Sequence, residues 1–171
     1  YDMWNGYYTW ISNVNYILAE EETMSGSETE KNYVLGQAYA VRAYSYFMLA
    51  QMFSRTYKGH ESEPCVPLYT EPTDIATEGK GRATVEEVYQ QITSDLDKAI
   101  TMLGNSGKRK HISHINEAVA SGIKARVALV MEDWQTALDA ANAAISKSGC
   151  SIGTGTAVTG GMNDATANNV M

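Results

Sequence analysis

The stretch AVASGIKARVALVMEDWQTALDAANAAISKSG, residues 118–149, decides the fold. It carries two apolar runs with intervals of three and four residues. Val119, Ile123, Val127 and Val130 form the first; Trp134, Ala137, Leu138, Ala141, Ala144 and Ile145 form the second. That spacing gathers each run on one face of a helix. Asn116 precedes the first run and Asp133 the second, and a short side-chain oxygen at such a position accepts a hydrogen bond from a free amide of the first turn. Gly149 follows the second run, where a left-handed helix end favours glycine. The stretch therefore reads as two helices joined by a very short turn, with Ala125, Ala137 and Ala144 where the pair comes closest.

This unit has the spacing of a tetratricopeptide (TPR) repeat. Trp134 takes the large aromatic slot near the start of the second helix, and Gly149 stands where a helix-ending proline is usual. Glu132 replaces the glycine usual before the second helix. A stretched copy lies upstream, with a first helix over 31–53 and a second over 84–103. Arg42 then corresponds to Arg126, an offset of 84, and Ala99 to Ala144, an offset of 45. The 39-residue difference is a proline-bearing insertion, placed over 54–83. A helix over 3–21 supplies the second half of a still earlier unit, or a cap. Each such pair leaves one apolar face open, so neighbouring pairs stack. A plain bundle with alanine-rich contacts is the alternative. The fold expected is all-α: about five helices in TPR-like stacked hairpins, with almost no strand and an irregular tail over 150–171.

Local signals agree with these boundaries. Ser27 with Glu30, and Thr84 with Glu87, have the capping-box pattern that starts a helix. Val85, Val88, Tyr89, Ile92, Leu96, Ala99 and Leu103 give a clean amphipathic stripe, ended by Gly104 and Gly107. The second helix carries few charges and is expected to bury more than one face. The insertion holds all three prolines and is too long for an idle turn in a compact domain.

Composition limits the functions available. The chain has 171 residues, is 44% hydrophobic and carries a net charge of −7. It is globular in composition. So acidic a chain is a poor general nucleic-acid binder, because phosphate affinity comes from Lys and Arg. No run reaches the ~18 apolar residues of a membrane span. Two cysteines allow at most one bridge, so this is no disulfide scaffold. The start at Tyr1 and the lack of a signal-like segment read as a piece of a longer protein.

Together, the runs resemble the SusD/RagB family. Arg42-Ala43-Tyr44 with Tyr46, Phe47 and Leu49, then Val66-Pro67-Leu68, has the family's pattern. So do Arg82-Ala83-Thr84-Val85 through Asp95, Leu96 and Ala99, and Asn116 through Lys124, Arg126, Trp134 and Ile145. The opening Trp4, Tyr8, Ile11 and Asn15 fits, as does the tail from Gly161-Met162-Asn163. Two departures are Ser54-Arg55, where a glycine commonly follows the phenylalanine, and Cys65 in place of a frequent glycine. The resemblance implies a surface lipoprotein of the bacterial outer membrane in Bacteroidetes. It implies a non-catalytic protein that binds glycans or other nutrients and passes them to a SusC-like TonB-dependent transporter. This chain would be the TPR-bearing middle portion, 1–149, without the lipid-bearing cysteine or the C-terminal region; Cys65 and Cys150 lie inside it and cannot be that anchor. A TPR scaffold that binds a peptide and no glycan is the competing reading.

Glycan recognition needs aromatic faces for sugar rings and amides or carboxylates for hydroxyls. Trp4, Tyr7, Trp10 and Asn13 are the candidates. Trp4, Tyr8 and Ile11 lie on the apolar stripe and suit the core, whereas Tyr7 and Trp10 lie nearer its edge, where exposure is expected. Asn15 falls on the apolar face, a place for a structural hydrogen bond. Arg42 and Arg126 occupy matching places on apolar helices. They form either an anion site or buried pairs with a carboxylate such as Asp95, and the second is favoured because a buried charge needs a partner. His111 and His114 lack further ligands at metal spacing, so no metal and no cofactor is expected. No nucleophile motif is present, and Glu20–Glu22 and Glu86–Glu87 sit at helix ends, away from any acid/base arrangement for glycoside hydrolysis.

Overall fold

The computed structural model describes residues 2–150 and Gly155. Over residues 2–150 five helices follow one another: α1 (Asp2–Ala19), α2 (Glu28–Phe53), α3 (Val85–Gly104), α4 (Glu117–Met131) and α5 (Trp134–Ser148). Two short strands, β1 (Pro64–Pro67) and β2 (Arg82–Thr84), lie in the insertion. The fold is all-α with TPR-like helical hairpins. Apart from Cys150 and Gly155, the irregular tail expected over 150–171 lies outside the described residues.

The helix starts follow the capping chemistry. Ser27 and Thr84 each close a reciprocal box with Glu30 and Glu87. Asn116 and Asp133 accept from the amides of Val119 and Thr136. Gly149 adopts φ 67°, the left-handed conformation that ends α5. Glu132 adopts φ 60° between α4 and α5. The position where glycine is usual thus keeps the glycine conformation with a residue that has a Cβ.

Successive helices run antiparallel. Between α2 and α3, Gly36 faces Leu103 and Arg42 faces Asp95. Between α4 and α5, Gly122 meets Ala144. A Cβ on Gly36 would stand 2.7 Å from Leu103 Cγ, so α2 and α3 approach closely only because that position is glycine.

α2 is buried around most of its circumference, since α1 packs on one side and α3 on the other. Its Tyr46, Phe47 and Leu49 join Ile11 of α1 and Val88, Tyr89, Ile92 and Leu96 of α3 in one core cluster. Burying each such side chain contributes roughly 1.5–3 kcal/mol. Val14, Leu18, Leu35, Tyr39, Ala99 and Leu103 form a second cluster.

The α4–α5 hairpin buries mainly alanines on its inner face and leaves Trp134, Leu138 and Ile145 exposed. The aromatic slot expected for Trp134 is open, as in a stack whose next face is uncovered.

The insertion is tied at its neck. β1 and β2 pair antiparallel, Pro64 opposite Thr84 and Pro67 opposite Arg82, with an irregularity between. Arg82 Nη2 donates to the Phe53 and Pro64 carbonyls at 3.1 and 3.0 Å, closing the loop onto the end of α2. That leaves residues 68–81 to fold back over α1.

Candidate functional site

A buried polar chain fixes that returning loop. Arg42 of α2 donates from Nε and Nη2 to the two Asp95 carboxylate oxygens of α3, each at 2.8 Å. Its Nη1 donates to Asn15 Oδ1 at 2.8 Å and to the Thr70 carbonyl at 3.1 Å. Asn15 Nδ2 donates onward to the Tyr69 and Glu71 carbonyls at 3.0 and 3.1 Å. The Tyr46 hydroxyl donates to the Tyr69 carbonyl and accepts from the Tyr69 amide. Burial works against the charge on Arg42, and the Asp95 hydrogen bonds override it, holding the guanidinium pKa above its ordinary value. Asn15 of α1 and Arg42 and Tyr46 of α2 thereby hold three successive backbone carbonyls of the loop, and Asp95 of α3 braces Arg42.

Beyond those carbonyls the loop and α1 enclose a cleft of about 270 Å³. Tyr8, Ile11, Ser12 and Asn15 line one wall, at the i, i+3, i+4, i+7 spacing of one helix face. Tyr69, Thr73, Asp74 and Thr77 line the other. The Tyr8 ring meets Tyr69 edge-on, centroids 6.3 Å apart at 84°, and its hydroxyl donates to the Pro67 carbonyl at 2.7 Å. Burial pushes the Tyr8 phenol well above its ordinary pKa, so it stays neutral. The Thr77 hydroxyl and the Ala76 amide donate to Asp74 at 2.9 and 3.0 Å, which holds its carboxyl below the ordinary value and therefore ionised. Among the described residues the Ser12 and Thr73 hydroxyls make no side-chain hydrogen bond. The cleft thus offers tyrosine ring surface, two unengaged hydroxyls and one carboxylate.

The sequence candidates lie elsewhere. Trp4 is partly buried against Tyr8 and Phe53, centroids 4.8 and 4.9 Å away. Tyr7 is buried, which corrects the expectation of an exposed edge: Trp10 and Tyr44 flank its ring and α2 covers it. Trp10 is 50% exposed, and Asn13 is exposed. None of these four lines the cleft. Arg126 is also corrected. It is exposed, with its guanidinium 5.9 Å from the Phe47 ring centre, and is no buried pair. The offset that maps Ala99 onto Ala144 maps Asp95 onto Ala140, so the second hairpin has no carboxylate for it.

Trp10 and Arg126 instead border a second groove of about 600 Å³, together with Val41, Tyr44, Ile115, Val119 and Ile123. Its lining is apolar apart from the Arg126 guanidinium, the Tyr44 hydroxyl and the Trp10 indole N–H, so it has few partners for the hydroxyls of a sugar. Among the histidines, His114 pairs with the Tyr33 hydroxyl and His60 with Glu63. Among the described residues no group of three or more His, Cys, Asp and Glu side chains is placed to hold a metal ion.

Sequence reasoning missed Ser12, Tyr69, Thr73 and Asp74. The Asp74-to-Thr77 spacing, which bends a loop through an Asx-type turn, and Ser12 one turn beyond Tyr8 were the available signals.

A family model described as starch-binding and associating with the outer membrane, SusD-like, matches residues 1–129. The chain belongs to the SusD-like family. No curated protein matches it. Among solved structures, a SusD-like carbohydrate-binding protein from Bacteroides vulgatus superposes with a TM-score of 0.89 at 28% identity, over 97% of this chain and 35% of that one. A SusD superfamily protein from Bacteroides thetaiotaomicron gives 0.77 at 29% identity, over 88% and 33%. A laminarin-binding SusD-like protein gives 0.65 at 26% identity, over 81% and 28%. The chain therefore spans about a third of the length of these SusD-like structures.

Proposed function

We propose that this SusD-like chain is the TPR-bearing portion of a non-catalytic glycan-binding protein of the bacterial outer membrane, which captures an oligosaccharide and delivers it to a SusC-like TonB-dependent transporter. The family match over residues 1–129 carries the reading. The carbohydrate-binding and laminarin-binding relatives support a glycan as the ligand class. Attachment to the membrane would come from a lipid anchor on the full-length protein, in keeping with the family model's description as associating with the outer membrane. The work of such a protein is capture. Binding energy comes from ring contacts and hydroxyl pairing, and the helical stack presents a rigid surface for docking.

The apolar groove at Trp10 and Tyr44 favours the competing reading of a TPR scaffold for a peptide. A glycan array probed with the protein, alongside a peptide array, separates the two. Retention of neutral oligosaccharides is the expected result. Peptide binding with no glycan retained would overturn the proposal.

A further inference from the structure

Resting on that reading, we infer that the cleft between α1 and the 69–77 loop is a subsite for one ring of a neutral, hydroxyl-rich glycan, and that Arg42 and Asn15 are its positioning residues.

The size sets the ligand unit. At about 270 Å³ the cleft is smaller than the ~300–1,000 Å³ of sites for drug-sized molecules, so it takes a single pyranose and leaves the rest of the chain in solvent. The lining sets the chemistry. A pyranose presents C–H surface between hydroxyls, and it needs apolar contact and hydrogen-bond partners together. Tyr8 and Tyr69 supply the first; Ser12, Thr73 and Asp74 supply the second. An unengaged hydroxyl loses no internal bond when it turns to a ligand. Charge sets the selectivity. Asp74 is ionised and sits at the cleft in a chain of net charge −7, so a uronate or sulfated sugar meets repulsion and a neutral one does not.

The buried chain gives the cleft its shape before ligand arrives. Asn15 grips the loop at Tyr69 and Glu71, and Arg42 grips it at Thr70. At the far end the Tyr16 hydroxyl donates to the Thr73 carbonyl at 2.7 Å. A wall held at both ends loses little entropy on binding. Trp10 and Asn13 stand outside this arrangement.

The test is calorimetric titration with maltoheptaose, laminarihexaose and hexagalacturonate. Wild type is expected to bind at least one of the two neutral probes and to bind hexagalacturonate more weakly. Ser12→Trp, which fills the cleft, and Tyr69→Ala are expected to weaken the neutral probe by roughly tenfold or more, with helical circular dichroism retained. Asp74→Lys is expected to raise affinity for hexagalacturonate. Asn15→Ala is expected to weaken binding while Asn15→Asp, which keeps an acceptor for Arg42 but loses the donor to the loop, gives no rescue. If both cleft variants bind as tightly as wild type, or if Trp10→Ala alone abolishes binding, the inference fails and the glycan-binding reading stands. If wild type binds neither neutral probe and its glycan array is blank, both fail.

Discussion

Arg42 and Asp95 meet as a two-pronged ion pair between α2 and α3, Nε and Nη2 each 2.8 Å from a separate carboxylate oxygen, with both side chains almost wholly buried. A buried pair of this kind adds little over a well-packed apolar pair, but removing one member strands the other. Asp95→Ala is therefore expected to cost about 3–5 kcal/mol in denaturant unfolding. A loss below ~1 kcal/mol, the worth of an exposed pair, would contradict the buried assignment.

Asn15 transmits that pair to the loop. Asn15→Leu keeps the branched shape but strips the Glu71 carbonyl of its side-chain donor and leaves the Tyr69 carbonyl with the Tyr46 hydroxyl alone. The expected cost is about 1–3 kcal/mol. Hydrogen exchange should quicken at the amides of 69–77 more than in α2 and α3. Equal acceleration throughout would mean that Asn15 serves the helices alone.

Two substitutions at helix contacts should move stability in opposite directions. Gly36→Ala places a methyl 2.7 Å from Leu103 Cγ and 3.2 Å from the Leu103 backbone nitrogen, a clash expected to cost about 1–3 kcal/mol. Glu132→Gly removes a left-handed strain of about 1–2 kcal/mol and adds the unfolded-state freedom of glycine, for a net gain of up to about 1 kcal/mol. Melting temperatures of the two variants, falling and rising respectively, check both statements.

Acid should weaken the helix starts. Hydrogen bonds from Ser27 hold the Glu30 carboxyl below its ordinary pKa, and those from the Thr84 backbone and hydroxyl do the same for Glu87. A depressed carboxylate stabilises the fold above its unfolded-state pKa, and this contribution is lost as pH falls through the folded value. Stability is thus expected to fall below roughly pH 4, with the fall shallower in a Glu30→Gln, Glu87→Gln double variant. A double variant that follows the wild-type acid limb would show that the capping boxes contribute nothing to it.

The helices were legible because their cores repeat every three or four residues and their caps are local. The Arg42–Asp95 contact was legible from burial chemistry alone, because a charge on an apolar helix needs a partner. Arg126 misled for the same reason. Its helix looks equally apolar, and only the packed hairpin shows that the position is exposed and faces no carboxylate. The cleft was not legible. Its wall over 69–77 has no periodicity, and its place over α1 is set by carbonyl groups, which every residue has. Tyr7 drew notice as an aromatic at the stripe's edge, yet Tyr44 from α2 covers it. Ser12 drew none, although the fold turns it toward the cleft.

The most direct test of a glycan subsite on α1 is a nuclear magnetic resonance titration of the nitrogen-15-labelled chain with the neutral oligosaccharide that binds best. Amide shift changes are expected to concentrate at Ser12, Tyr69, Thr73, Asp74 and Thr77, with the Trp10 indole unmoved. Changes confined to Trp10, Tyr44 and Val119, or a binding heat with no change at 69–77, would contradict it.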